Sequence, residues 1–239
     1  MNLVKEKWRK EDKVAFLKYL KSFENQEKQA WSKKIINTEL VVLAVRTKDI
    51  KYMAQEILKG NFLSFLDLNI DDYYESIALQ GMLISKIKDF AVQKEYLDKY
   101  VIKIDNWAGC DLLSFDVKGK EAEFLDLILE YIESPLPFVR RTGLVILFSF
   151  IDKDDYLERV FIILNSFYDE KEYYVNMIIA WLFCECFIKR REEALKFLQT
   201  HRLNKFAINK GISKCRDSYR VSQEDKEMLL KYRVKKNNV

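Results

Sequence analysis

Apolar residues recur through most of this chain every three to four positions, the spacing that keeps them on one face of a helix. Trp8 to Phe23 reads as a first amphipathic helix, with Trp8, Val14, Ala15, Leu17, Leu20 and Phe23 on its apolar side. Gln26 to Ile36 reads as a second, carrying Trp31, Ile35 and Ile36. The run Leu40 to Val45 is continuously apolar. It has strand propensity but no neighbouring strand to pair with, so it is expected to be a loop or a helix end. Thr47 or Asp49 can cap the next helix, Ile50 to Leu58, and Gly60 is expected to end it. The pattern then predicts helices over Tyr73–Ile87, Val92–Ile102, Asp105–Leu113, Lys120–Ile132, Phe138–Phe150, Asp154–Phe167, Glu170–Ile188 and Glu192–Gln199. Leu203–Cys215 and Gln223–Tyr232 complete the set.

These helices come in pairs. The first member of each pair opens with an aromatic residue, Tyr74, Trp107, Phe138 and Tyr174, at spacings of 33, 31 and 36 residues. Two helices per repeat of this length is the signature of a helical solenoid, in which no repeat can bury its apolar face without its neighbours. Only 2 Pro and 6 Gly occur in 239 residues, too few for the turns of a sheet protein this long. The expected fold is all-α: a HEAT-like helical-repeat solenoid, an α-α superhelix with a concave face. The chain is expected to be a single domain, 1–239, with N-terminal helices over 1–60, helix-pair repeats over 71–199, capping helices over 200–232 and a frayed tail over 233–239. The uncharged run Thr142 to Ile151 falls short of the roughly 18 apolar residues that a membrane span needs, and no other run reaches that length. Met1 to Glu6 has no apolar signal region. A soluble, cytoplasmic protein is expected, with no membrane partner.

Charge is unevenly distributed. Residues 1–59 carry 14 Lys+Arg and 8 Asp+Glu, residues 60–188 carry 12 and 23, and residues 189–239 carry 15 and 6. The ends are thus net +6 and +9 around a middle of −11. Basic ends suit a protein that grips a polyanion; solvated helix faces would read the same way. Cys110, Cys184, Cys186 and Cys215 form no CxxC pair, and the single His201 stands at no ligand spacing. They are read as reduced, mostly buried thiols, with no metal site.

Three local features bear on chemistry. Trp107 and Asp111 are four apart, hence on one helix face. They read either as a packed tryptophan with a capping or ion-paired carboxylate, or as a site. Arg140 and Arg141 are the only arginines between Arg46 and Arg159, in the acidic middle. They can pair with carboxylates of the next helix or hold a phosphate, whose geometry the guanidinium fork matches. Trp181 follows Met177–Ala180 and by itself reads as core.

The segments Leu43-Ala44-Val45-Arg46-Thr47, Ile104-Asp105-Asn106-Trp107-Ala108-Gly109-Cys110-Asp111, Phe138-Val139-Arg140-Arg141-Thr142-Gly143 and Ala180-Trp181-Leu182-Phe183-Cys184-Glu185 together resemble the DNA alkylation repair proteins of the AlkD type, DNA glycosylases built from HEAT-like repeats. The resemblance runs from about Ser32 to about Tyr232. It implies that Asp111 is the catalytic carboxylate and that Trp107 and Trp181 face the lesion. It places an arginine of the Arg140-Arg141 pair, Arg141 in preference, at the DNA backbone, with Arg46 and Trp31 as further DNA-binding candidates. The family has Gly at Ala44, usually Pro at Lys48, and often Arg at Cys184. Duplex DNA carrying purines alkylated at N3 or N7 is the implied substrate, the protein acting as a monomer with no metal or cofactor. Two other functions suit the same residues: a silent binder of damaged or branched DNA, and a protein–protein scaffold.

Overall fold

The computed structural model describes residues 1–235. Among them are fourteen α-helices and no strand. They form two compact units, Met1–Phe115 and Asp116 onward. In the first unit lie α1 (Lys10–Lys21), α2 (Gln26–Ile36), α3 (Thr47–Leu58), α4 (Phe62–Leu66), α5 (Tyr74–Ile84), α6 (Phe90–Val101) and α7 (Trp107–Asp111). In the second lie α8 (Glu121–Ile132), α9 (Pro137–Leu147), α10 (Asp154–Ser166), α11 (Tyr173–Lys189), α12 (Arg191–Thr200), α13 (Lys205–Asp217) and α14 (Gln223–Met228). Short 3-10 turns, Phe148–Phe150 and Leu229–Tyr232, extend α9 and α14. No helix among the described residues is long and apolar enough to cross a membrane.

Helix starts follow local chemistry. The side chains of Asn25, Asn61, Asp89, Asn106, Asn204 and Ser222 each accept a backbone N–H of the first turn that follows. Pro137 occupies the first turn of α9, where its missing N–H costs nothing. The repeat is visible in the cross-links between helices. Ion pairs join Asp71 to Lys103, Glu121 to Lys153, Arg140 to Glu170, Lys189 to Asp152, Arg191 to Asp225 and Arg220 to Glu185, separations of 30 to 37 residues. Each joins one repeat to the next, as in an all-α helical-repeat protein.

The second unit is layered around α11. Eleven of its 17 residues are buried, apolar on every side, which marks a central helix. It packs between α9 and α13. Gly211 brings α13 against it: a Cβ there would lie 2.8 Å from the Phe183 ring and 3.3 Å from the Ala180 carbonyl.

The first unit departs from the sequence pattern in three places. Trp8 does not start α1. It lies in the extended segment before it, 3 % exposed, and stacks edge-on against Phe65 and Phe16 at 4.9 and 6.1 Å. Gly60 is not a left-handed cap; α3 closes at Lys59 in a right-handed conformation. Gly60 is needed because the N-terminal segment passes over it, and a Cβ would sit 2.4 Å from the Lys5 carbonyl oxygen. Helix α4, absent from the predicted set, follows directly and anchors that segment, the Ser64 hydroxyl accepting the Trp8 amide at 2.9 Å. In the second unit the tail predicted to fray is tied down as far as it is described. Asn209 exchanges two 2.9 Å hydrogen bonds with the Val234 backbone, and Lys205 Nζ donates to the Lys235 carbonyl. Residues 236–239, the rest of that expected tail, lie outside the described residues.

Leu40 to Val45 is irregular, as expected, and its order comes from a buried carboxylate. Glu75, 1 % exposed at the start of α5, accepts the amides of Leu43 at 3.0 Å and Val45 at 3.3 Å, around an Ala44 with φ of 56°. Burial pushes the Glu75 carboxyl above its ordinary value, against these amide donors. A raised folded-state pKa gives stability that is fully present below about pH 4.5 and is lost as pH rises through the folded value. Removing the acceptor leaves two buried amides unsatisfied, so Glu75→Ala is expected to cost about 3 kcal/mol. The Tm of the wild type relative to Glu75→Gln is expected to fall between pH 4 and pH 7. A difference that rises with pH would refute the assignment.

Candidate functional site

In the first unit the candidate residues sit on α2, α3 and α7. Helix α7 is one turn and a half long, so its neighbours must fix it. Asn106 caps it, accepting the Gly109 amide at 2.9 Å. Buried Tyr100 donates its hydroxyl to the Gly109 carbonyl at 2.9 Å. Asp105 ties its entrance to the segment after α2, accepting Thr38 Oγ1 at 2.5 Å, the Glu39 amide at 2.7 Å and Asn106 Nδ2 at 2.9 Å. Burial raises the Asp105 carboxyl, but these hydrogen bonds outweigh it and hold it below the ordinary value. The Trp107 indole N–H donates to the Ile35 carbonyl of α2 at 3.1 Å.

Trp107 and Asp111 therefore project from a fixed turn, and both are only half-buried. Trp107 is not a core residue. The helix ends at Asp111, two residues before the predicted end, with Leu112 as its cap residue. Trp31 projects from α2 one turn before Ile35 and is 64 % exposed. Arg46 precedes α3, exposed, with its guanidinium on Asp49 at 2.7 and 3.3 Å.

Asp111 lines an open groove of about 490 Å³ within this unit. Its floor is apolar: Ala54 and Leu58 of α3, Met82 of α5, and Leu112. Lys51 and Lys86, both exposed, stand on its walls. The two lysines escaped the sequence reading because they are ordinary surface residues, 35 apart, until α3 and α5 pack together.

In the second unit the adjacent arginines divide. Arg140 makes a two-pronged ion pair with Glu170 at 2.9 and 3.0 Å and donates to the carbonyls of Ser134 and Pro135 at 2.8 and 3.1 Å. The side chains are 14 % and 8 % exposed, so the pairing alternative describes this residue. Arg141 is 5 % exposed, and its Nη1 donates to the Tyr174 carbonyl in the first turn of α11 at 2.5 Å. The arginine expected at a phosphate is thus turned into the protein.

Trp181 does the reverse. Ile178, Ile179, Ala180, Leu182 and Phe183 around it are fully buried, yet Trp181 is 38 % exposed, its ring 4.7 Å from Phe148. It lies on the one open stripe of α11, with Tyr174 and Met177. One turn on, Cys184 is buried and shares a thiol hydrogen bond with Cys215, which pulls the Cys184 thiol down and pushes Cys215 up. All four cysteines are buried thiols that form no disulfide. Arg220, held on Glu185 with Nη1 3.0 Å from Oε2, brings a guanidinium close enough to act on Cys184, as does Lys214.

Among the described residues no group of three His, Cys, Asp or Glu side chains is placed to hold a metal ion. What the geometry offers is a carboxylate at the edge of a cation-lined groove and indoles held open to solvent. Neither a curated protein nor a solved structure matches the chain. A family model described as DNA alkylation repair enzyme matches residues 16–215, from the middle of α1 to the last turn of α13. The chain belongs to the DNA alkylation repair enzyme family and is an enzyme of alkylated-base repair, with DNA as its substrate.

Proposed function

We propose that the protein is a monofunctional DNA glycosylase that removes positively charged N3- and N7-alkylated purines from duplex DNA, working as a monomer in the cytoplasm. The observation that carries this reading is the presentation of Trp107 and Asp111, fixed by α2 and α6 yet open to solvent. Alkylation at N3 or N7 makes the base a cation, so it departs as a neutral molecule without being protonated. The strain of the step falls on the sugar, which takes on oxocarbenium character. Asp111 stabilises that charge and orients the water that attacks the anomeric carbon. Trp107 and Trp181 offer indole faces, each worth about 0.5–2 kcal/mol to a cation. Trp31 and Arg46, exposed on α2 and before α3, contact the DNA.

Arg140 and Arg141 act as positioning residues here, because both are largely buried on protein acceptors, whereas Arg220 and Arg46, though paired with Glu185 and Asp49, keep exposed side chains. Arg220 supplies the charge that the family often carries at the position of Cys184. The pair Arg220→Gln, Glu185→Gln removes the guanidinium at constant net charge. It is expected to lessen by about threefold the loss of DNA affinity between 50 and 200 mM salt, the contribution of one phosphate contact. An unchanged salt slope would remove Arg220 from the interface. The reading as a whole is tested by release of 7-methylguanine and 3-methyladenine from methylated duplex DNA, wild type beside Asp111→Asn.

A further inference from the structure

The groove that Asp111 lines has a chemistry of its own. Along α3 the residues Thr47, Lys51, Gln55 and Leu58 succeed one another on one face, and Met82 of α5 lines the groove with Ser85 and Lys86 just past the end of that helix. The floor is apolar, the polar groups stand at the edges, and the volume of about 490 Å³ suits one unit of a polymer rather than a large ligand. Among the described residues neither Lys51 nor Lys86 stands within 4.0 Å of a carboxylate in an ion pair, whereas Lys94, Lys99 and Lys103 of the same unit do. Two ammonium groups outside any ion pair, a carboxylate and an apolar lining around one groove match one segment of a nucleic-acid strand: phosphate, sugar, phosphate.

We propose that this groove seats the nucleotide under attack, with Lys51 and Lys86 as the clamp on its two flanking phosphates and the sugar on the floor of Ala54, Leu58, Met82 and Leu112. The inference rests on the glycosylase reading only in naming that nucleotide as the one attacked. The clamp explains how Asp111 is aimed. A carboxylate on a short helix end stabilises an oxocarbenium ion only if the sugar is held still beside it, and two backbone phosphates on either side do that without any contact to the base. It also accounts for selectivity by charge rather than by shape: the groove grips the backbone, leaving the alkyl group unconstrained.

The test is the double variant Lys51→Gln, Lys86→Gln, with Lys99→Gln as a control on α6. Binding to a duplex containing a non-hydrolysable abasic-site analogue is titrated from 50 to 200 mM salt. Wild type is expected to lose about tenfold more affinity over that range than the double variant, the effect of two phosphate contacts. Lys99→Gln is expected to match wild type. Excision by the double variant is expected to fall at low DNA concentration and to stay below wild type at saturation, a loss in kcat as well as a rise in KM. An unchanged salt slope, or an equal change in Lys99→Gln, overturns the clamp. If wild type binds with the expected slope difference but excises nothing, the glycosylase reading fails and the phosphate clamp stands. If wild type excises and the slope is unchanged, the clamp fails and the glycosylase reading stands.

Discussion

Asp111→Asn is expected to reduce release of 7-methylguanine and 3-methyladenine by a factor of about 10² to 10³, with DNA affinity and Tm close to those of the wild type. The substitution keeps the shape of the side chain and removes its charge. The magnitude follows from the loss of one fixed electrostatic partner of the transition state, about 3–4 kcal/mol. Binding is spared because the carboxylate opposes the phosphates; if anything, its removal strengthens association. Stability is spared because asparagine keeps the shape and a hydrogen-bond acceptor of the side chain, and Asn106, Tyr100 and Trp107 hold α7. Three measurements on one variant decide the matter: base release, affinity for an abasic-analogue duplex, and thermal unfolding. A variant that unfolds several degrees early would make Asp111 structural. Undiminished release would move the chemistry elsewhere. A wild type that binds DNA and releases nothing would favour the silent DNA-binding reading.

Arg140→Ala is expected to destabilise the protein by about 3–5 kcal/mol, a fall in Tm of roughly 10 °C or more. The reason lies in what remains. Glu170 is left as a carboxylate that is 8 % exposed, and the carbonyls of Ser134 and Pro135 lose their donor. Glu170 also holds the approach to α11. Its carboxylate accepts the Glu172 amide at 2.8 Å, and its carbonyl accepts Asn176 at 3.0 Å and Asn204 at 3.1 Å. The damage therefore reaches α13. Removing both partners is expected to cost less than the sum of the single changes, and a double-mutant cycle with Glu170→Ala measures the coupling. A stability loss under about 1 kcal/mol, together with weaker DNA binding, would instead place Arg140 on the nucleic acid.

Much of the fold is legible in the spacing of apolar residues. Helix α2 begins and ends where the apolar spacing places it, and α8 and α10 differ by one residue at one end. Each long helix carries its own period, and caps such as Asn106 and Asn204 act over three residues. These are local effects. The repeat was legible too, because the aromatic spacing of 31–36 residues is the distance at which the ion pairs later close. The Trp107 and Asp111 pair stood out for the same reason: two unusual residues at one helical turn.

The sequence by itself therefore determined an all-α chain, its repeat length, the limits of every helix but α4 to within about a turn, and the family to which it belongs. Only the tertiary structure decided which way individual side chains face. Trp181 sits in a helix that is apolar all round, so periodicity carries no information about which stripe is left open; packing of α9 and α13 chooses it. Arg140 and Arg141 are neighbours in sequence with different partners, because successive helix positions point about 100° apart. Trp8 leaves its helix to join Phe16 and Phe65, a burial worth more than one further turn. Glu75 is an unremarkable acidic residue until the 43–45 segment brings its amides to it. Lys51, Lys86 and Asp111 line one groove that exists only when α3, α5 and α7 meet. In each case the deciding partner lies far along the chain, and the free energy that selects it comes from contacts that no local pattern encodes.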